Sequence, residues 1–373
     1  MTTVTPMITS FDDWPVHQSH LPIAHTATGD PNHYDRYFFN GYDSEGDIFF
    51  ALAMGLYPNR HVMDASFSVI IGDEQVNVHA SARANHDRMR CTEVGPVSVE
   101  IVEPLRRHRI RVDSPEHGLR ADITMNATSV PFEEPVFQQR SGLRETMHYT
   151  RLTQMGRWTG WIEIDGVRKE INPASVTGSR DRSWGVRGVG ERIAVGAPVA
   201  SAPQFYWLWA PVCFDGFGTM FDINEYGDGE RWHHSGAFLD GMNEPKPAWS
   251  VDYDVSWVPG TRHMRSFTLR YVFKDEHVVL DFQPIKHFQM FGLGYMHPEW
   301  THGGWKGELA VGGDRFPLPV ADPTALHHIH VQTLSRVTCT RPSGVHHGTG
   351  ILETLVLGPH EPSGLTGVND GAR

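Results

Sequence analysis

The sequence predicts an all-β protein built as two successive antiparallel meanders. Three observations carry this. Apolar and polar residues alternate with period two along most of the chain, and apolar i, i+3, i+4, i+7 patterning is scarce throughout. Glycine (37) and proline (25) make up about one residue in six, a density suited to strands and turns. Strands of the first half also find similar strands in the second half, in the same order.

Taken in order, residues 1–30 read as an irregular lead-in, and 49–53 as a strand. Residues 66–70 and 75–79 alternate on either side of 71–74, which predicts a hairpin. Residues 161–164 run into Asp165-Gly166 and then 167–171, and Asp-Gly between alternating segments is a strong hairpin signal. Residues 267–273, a turn, and 278–282 form a third. The repeat pairs 49–53 with 206–210. At an offset of 155 it pairs Gly72 with Gly227, Asp73 with Asp228, His79 with His234 and Ala82 with Ala237. It pairs 119–123 with 278–282 at an offset of 159. Each half is then a meander of roughly 150 residues, long enough to close into a barrel. The expected division is 1–190, 191–360 and a polar, disordered tail at 361–373, with the seam near 185–205 where Gly and Pro cluster.

Composition excludes several functions. Basic and acidic residues balance as 32 − 44 = −12, which attracts neither nucleic acid nor an anionic membrane. Cys91, Cys213 and Cys339 are odd in number and far apart, so no disulfide framework or CxxC metal pair forms, and a reducing compartment is expected. Residues 1–10 carry no secretion-signal pattern, and the longest nearly apolar run, 49–56, is far short of the ~20 residues of a membrane helix. A cytoplasmic protein without an integral membrane segment is expected, and a homo-oligomer is compatible with the sequence. No cofactor is expected either. Residues 185–190 are glycine-rich, but Ile193 stands where a dinucleotide loop needs its third glycine, and no βαβ unit surrounds it. His328 and His330 have a spacing that can bind metal, yet the acidic and histidine partners of a cupin-type site are missing, so no metal is expected.

Two segments carry chemistry. Residues 178–187, GSRDRSWGVR, set a short acid, Asp181, among arginines with Trp184 nearby. That mixture suits a carboxylate held by charged hydrogen bonds near an aromatic wall. It equally suits a structural corner, with Asp181 bonding loop amides and Trp184 plugging a barrel end. Residues 292–305 bring Tyr295, His297, Glu299, Trp300, His302 and Trp305 into one Gly- and Pro-shaped loop, a mixture that suits a pocket with proton-transfer groups.

With the repeated meander and TGSRDRSWGVR in view, the chain resembles the lipocalin-like, double-calycin family. That family includes the carotenoid 1,2-hydratases, the related attachment-type proteins, kievitone hydratase and certain Diels–Alder cyclases. The matching positions are Gly178, Asp181, Trp184 and Gly185. The resemblance implies two tandem calycin barrels and a hydrophobic small-molecule ligand, held in one barrel or between them. It also implies an acid in the second half, for which Asp222 is the nearest candidate by context. The leading expectation is a cofactor-independent hydratase or dehydratase acting on an isoprenoid- or steroid-like molecule by carboxylic-acid protonation. Asp181, Asp222 and Glu299 are its candidate acids, and His297 or His302 would position water. The lining would come from Trp184, Tyr295, Trp300, Trp305 and, according to strand parity, Tyr206, Trp207 or Trp209. A non-catalytic lipid carrier or sensor is the second expectation, and a cyclase or isomerase that shapes a polyene is the third.

Overall fold

The computed structural model describes residues 9–16, 22, 24–190 and 203–373. The chain forms two antiparallel sheets, as the alternation predicts. The first has 14 strands. Its main path runs Leu309–Pro317, Glu74–Arg83, Val62–Ile71, Phe49–Tyr57, His33–Tyr42, Thr177–Arg187, Arg144–Ile164, Leu119–Ala127, Arg107–Ser114, Val97–Glu103 and Glu93–Val94. The second has 10 strands. Its path runs Lys246–Pro247, Arg231–Leu239, Gly218–Glu225, Phe205–Trp209, Gly344–Leu357, His330–Arg341, His277–Gln289, Met264–Val272 and Ser250–Trp257.

Once His33–Tyr42 is set aside, the two paths coincide from Glu74–Arg83 and Arg231–Leu239 to Val97–Glu103 and Ser250–Trp257. The pairs expected from sequence fall on equivalent strands: Phe49–Tyr57 with Phe205–Trp209, the two hairpins about Gly72 and Gly227, and Leu119–Ala127 with His277–Gln289. The chain is thus two tandem calycin barrels with an internal duplication. One register detail differs. Phe50 and Leu52 face the first barrel's core, as Tyr206 and Leu208 face the second's. The equivalence is therefore displaced by an odd number of residues from Phe49/Tyr206, because a one-residue slip reverses every side chain of a strand.

Among the described residues, apolar side chains gather in three main layers and a smaller fourth cluster about Tyr34, Tyr57, Phe137 and Tyr149. Phe50, Leu52, Ile123 and Trp158 fill the first barrel, and Tyr206, Leu208, Phe267 and Leu280 the second. A third layer lies between the barrels and includes Phe38, Phe49, Trp207, Trp209, Phe288 and Leu334. Two stretches depart from the expected division. The strand Leu309–Pro317, from the second half, pairs antiparallel with Glu74–Arg83 and extends the first sheet. Residues 361–373, expected to be disordered, are packed: Leu365 is buried, and Arg262 binds the Asp370 carboxylate and the carbonyls of Gly367 and Asp370. Most of the expected seam, 191–202, lies outside the described residues. Among the described residues, no helix is long and apolar enough to cross a membrane.

The strand Thr177–Arg187 stands in the wall between the barrels and is used on both faces. Arg180 and Arg182 point into the first barrel. Arg180 donates to Asp13 at 2.7 Å and to Gln154 at 2.9 Å; Arg182 bonds Asp35 and lies 4.1 Å over the Tyr37 ring. Its glycines answer to packing. A Cβ on Gly178 would stand 2.0 Å from the Asn40 carbonyl oxygen, which accepts the Trp158 indole N–H at 2.9 Å. Gly185 has φ +135°, and its missing Cβ leaves room for the His148 carbonyl. Gly178→Ala must displace backbone rather than a flexible side chain. Its expected cost is about 2–4 kcal/mol of stability, readable as a lowered urea midpoint, with Gly29→Ala, a change in open space at an ordinary φ, as the comparison.

Candidate functional site

The third layer encloses a polar cavity. His33–Tyr42 contributes Arg36 and Phe38, Arg144–Ile164 contributes Arg151, and Thr177–Arg187 contributes Asp181, Ser183 and Arg187. From the second barrel come Trp207 and Glu353, and Tyr295 enters from the 294–308 connection. Both halves of the chain are needed to build it. The enclosed space is about 10 Å³, room for about one water molecule.

Period two explains the membership. Asp181, Ser183 and Arg187 share the face of their strand opposite Arg180 and Arg182, and Trp207 and Trp209 share the face opposite Tyr206. Asp181 has no side-chain hydrogen bond to a described residue. Burial raises its pKa above the ordinary carboxylate value, and the nearby charges of Arg151, Arg36 and Arg187 only partly oppose this. Glu353 is already occupied, accepting from His330 Nε2 at 2.7 Å and Gln332 Nε2 at 2.6 Å. Arg151 is held by Glu134, which its Nε meets at 2.8 Å, and reaches Asp222 at 3.2 Å.

The expected site residues divide among several places. Asp181, Trp207 and Tyr295 line the cavity, and Trp209 packs in the same interbarrel layer. Tyr206 turns into the second barrel, where its ring stacks on His360. Trp184 lies on the opposite strand face from Asp181 and is half-buried. Asp222 is fully buried behind Arg151, bound by His233 Nε2 at 2.8 Å and by Ser235. Burial alone would raise its pKa, but His233, Arg151 and Ser235 outweigh burial and hold it below the ordinary value, so it stays an anion. Glu134, on the other side of Arg151, is shifted the opposite way by burial and by the Asp222 charge.

The 294–308 loop splits its chemistry. Gly294, at φ +96°, turns the chain out of a short 3-10 segment, and Tyr295 points to the cavity. His302 stands edge-on to Tyr295 at 4.8 Å and accepts from Arg36 Nη2 at 2.7 Å on Nε2. Because an arginine only donates, Nδ1 carries the His302 proton and faces Asp64 at 3.6 Å. His297 and Trp300 turn away toward His79, on which Trp300 stacks. Glu299 and Trp305 are exposed, and neither reaches the cavity. Arg36, Arg151, Ser183, Arg187 and Glu353 were not singled out as site residues from sequence. Their signal is a charged residue inside an otherwise apolar strand, as in Tyr34-Asp35-Arg36-Tyr37-Phe38.

Among the described residues, two clusters have the residue types of a metal centre, His79–His297–Asp314 and Glu134–Asp222–His233. Neither fits an ion well. His297 Nδ1 accepts the backbone N–H groups of Glu299 (3.0 Å) and Trp300 (2.8 Å), so Nε2 carries the proton and donates to Asp314. Glu134 and Asp222 already share the Arg151 cation, which would repel a metal. His328 and His330, noted from sequence for their spacing, are held apart by separate partners: His328 sits in a turn on the Asp322 carbonyl, and His330 on Glu353.

Residues 8–366 match the profile of a family of unknown function, DUF8625. The chain belongs to that family. No curated protein sequence matches it. Among solved structures, kievitone hydratase from Nectria haematococca is similar at a TM-score of 0.56 and 11% identity, over 86% of this chain and 88% of that one. An AttH-type protein from Nitrosomonas europaea gives 0.51 and 14%, over 94% and 99%. CghA gives 0.50 and 13%, over 88% and 89%. These likenesses bear out the double-calycin resemblance at the level of the fold.

The Arg36–His302 contact has a measurable consequence. Burial, helped by Arg36, lowers the His302 pKa from 6.5 to about 4, and Asp64 opposes this only in part. Between those values the unfolded chain binds a proton that the folded chain does not, so this group's contribution to stability falls as pH drops from 6.5 toward 4. The loss at the lower end is roughly 3 kcal/mol. His302→Gln is expected to flatten that part of the stability profile. In Arg36→Met the His302 resonance, followed by NMR, is expected to titrate nearer 6.5.

Proposed function

We propose that this protein is a cofactor-independent hydro-lyase that adds water to, or removes it from, a small apolar molecule, with Asp181 as the acid. The observation that carries the reading is Asp181 itself: it lines the interbarrel cavity without a hydrogen-bond partner among the described residues, in surroundings that favour its protonated form. In hydration, the protonated Asp181 carboxyl gives its proton to one carbon of a double bond while water adds to the other. The Asp181 carboxylate then takes the proton released by that water. Dehydration is the reverse. The rings of Trp207 and Tyr295 supply apolar wall on the same cavity. Ligand entry requires the lining side chains to move apart, since the enclosed space is far smaller than the ~300 Å³ of an ordinary ligand site.

The name of one structural neighbour, kievitone hydratase, agrees with this class of reaction. A carrier would not need an acid in its pocket. Incubation of the protein with kievitone, farnesol and farnesoic acid in ¹⁸O-water, followed by mass spectrometry, tests the reading. Labelled hydrate is expected from at least one of them, and Asp181→Asn is expected to lower that turnover by about 10²–10⁴-fold with folding intact. Equal turnover in the variant removes Asp181 from the chemistry, and no product from any substrate favours the carrier.

A further inference from the structure

We propose that the interbarrel cavity is an organic-acid site, and that its ligand is an apolar small molecule carrying a carboxylate, which Arg187 and Arg36 bind. This deepens the hydro-lyase reading by naming the substrate class, and it rests on the same cavity being the place where substrate binds.

Four arginines buried inside the molecule are paired with carboxylates. Arg180 is bound to Asp13, Arg182 to Asp35, and Arg151 to Glu134 and Asp222. Arg262 makes five bonds, to four carbonyls' worth of backbone and the Asp370 carboxylate. Each of these arginines is therefore paired with at least one carboxylate. Arg187 is the opposite. Its guanidinium lies over the rings of Tyr34 at 4.8 Å and Tyr149 at 5.6 Å, and its side chain hydrogen-bonds no described residue. Ring stacking engages the face of a guanidinium, whereas its five N–H donors lie in the plane and stay unused. Arg36 resembles it. Its Nη2 meets a neutral imidazole, its Nε is buried without a partner, and it forms no ion pair with a described carboxylate.

The remaining polar atoms point the same way. Trp207 Nε1 is a buried donor without an acceptor, and both Glu353 oxygens are taken. The cavity thus offers donors and positive charge in excess of acceptors. Holding a guanidinium away from water without a counter-charge is costly, and an anionic ligand relieves that cost. Fork-shaped donors match the two oxygens of a carboxylate. The same charges bear on the reaction. Two guanidiniums that form no ion pair with a described carboxylate disfavour a carbocation and favour negative charge on a substrate oxygen. A double bond conjugated to the bound carboxylate meets this condition. Water adds to the β-carbon, the electron pair rests in between on the carboxylate that the arginines hold, the α-carbon takes the Asp181 proton, and the Asp181 carboxylate then takes the proton released by the added water.

Farnesoate and farnesol share a carbon skeleton and differ in the charge of the head. Titration of each into the full chain, followed by tryptophan fluorescence and repeated by calorimetry, tests the proposal. Farnesoate is expected to bind at least about tenfold more tightly. Arg187→Met and Arg36→Met are each expected to weaken farnesoate binding and so reduce that preference, and Arg187→Lys is expected to keep most of it. Thermal unfolding of each variant identifies any loss of fold, and the Lys variant and the wild-type comparison decide the matter in that event. Equal affinity for the two compounds, no binding of either, or a preference that survives in both Met variants overturns the proposal. A farnesoate preference without turnover upholds the acid site and removes the hydro-lyase; turnover of farnesol without any such preference does the reverse.

Discussion

A strand in the wall between two packed barrels has no solvent face. Every side chain on it enters either its own barrel or the layer shared with the other, and period two decides which. Polar groups on such a strand must find partners within the protein or face a cavity. The wall of the first barrel meets this demand asymmetrically. Toward its interior, Arg180 and Arg182 are closed off by Asp13 and Asp35. Toward the second barrel, Asp181 and Arg187 are left open. One run of sequence thus supplies both a structural clamp and the reactive half of a site.

The architecture was legible because the signals that define it are local. Alternation, Asp165-Gly166 and the order of similar strands each act over a few residues, and the same order recurs in both sheets. What escaped was long-range. Leu309–Pro317 looks like any strand, and only a partner more than two hundred positions away places it in the first sheet. The tail was misjudged by its polar composition. Arg262, a residue far from it in sequence, supplies the donors that its carbonyls and Asp370 accept.

The site was legible in part for the same reason. Asp181 and Trp184 stand three apart, and on a strand that spacing sends them to opposite faces, although a linear reading sets them side by side. The 294–308 loop reads as one chemical cluster, but its turns send Tyr295 and His302 inward, His297 and Trp300 toward His79, and Glu299 to solvent. Arg36 and Arg151 carry no signal beyond a charge within a largely apolar strand, and only the packing of one barrel on the other brings them to one cavity. The solved relatives share the barrels at 11–14% identity, so the arrangement of the walls says little about what lies between them.

The return of Leu309–Pro317 to the first sheet also bears on how the chain is made. A chain emerging from the ribosome folds its N-terminal parts first. Here the Glu74–Arg83 strand keeps an unpaired edge until residue 317 has been synthesised, and an open edge is a template for wrong partners. Arg315, on the late strand, then reaches back to Asp165 at 2.7 Å and fastens the finished edge to the Asp165-Gly166 turn of the same sheet. Neither half is a self-contained unit of biosynthesis, and dividing the gene at the seam would separate an early barrel from its own last strand.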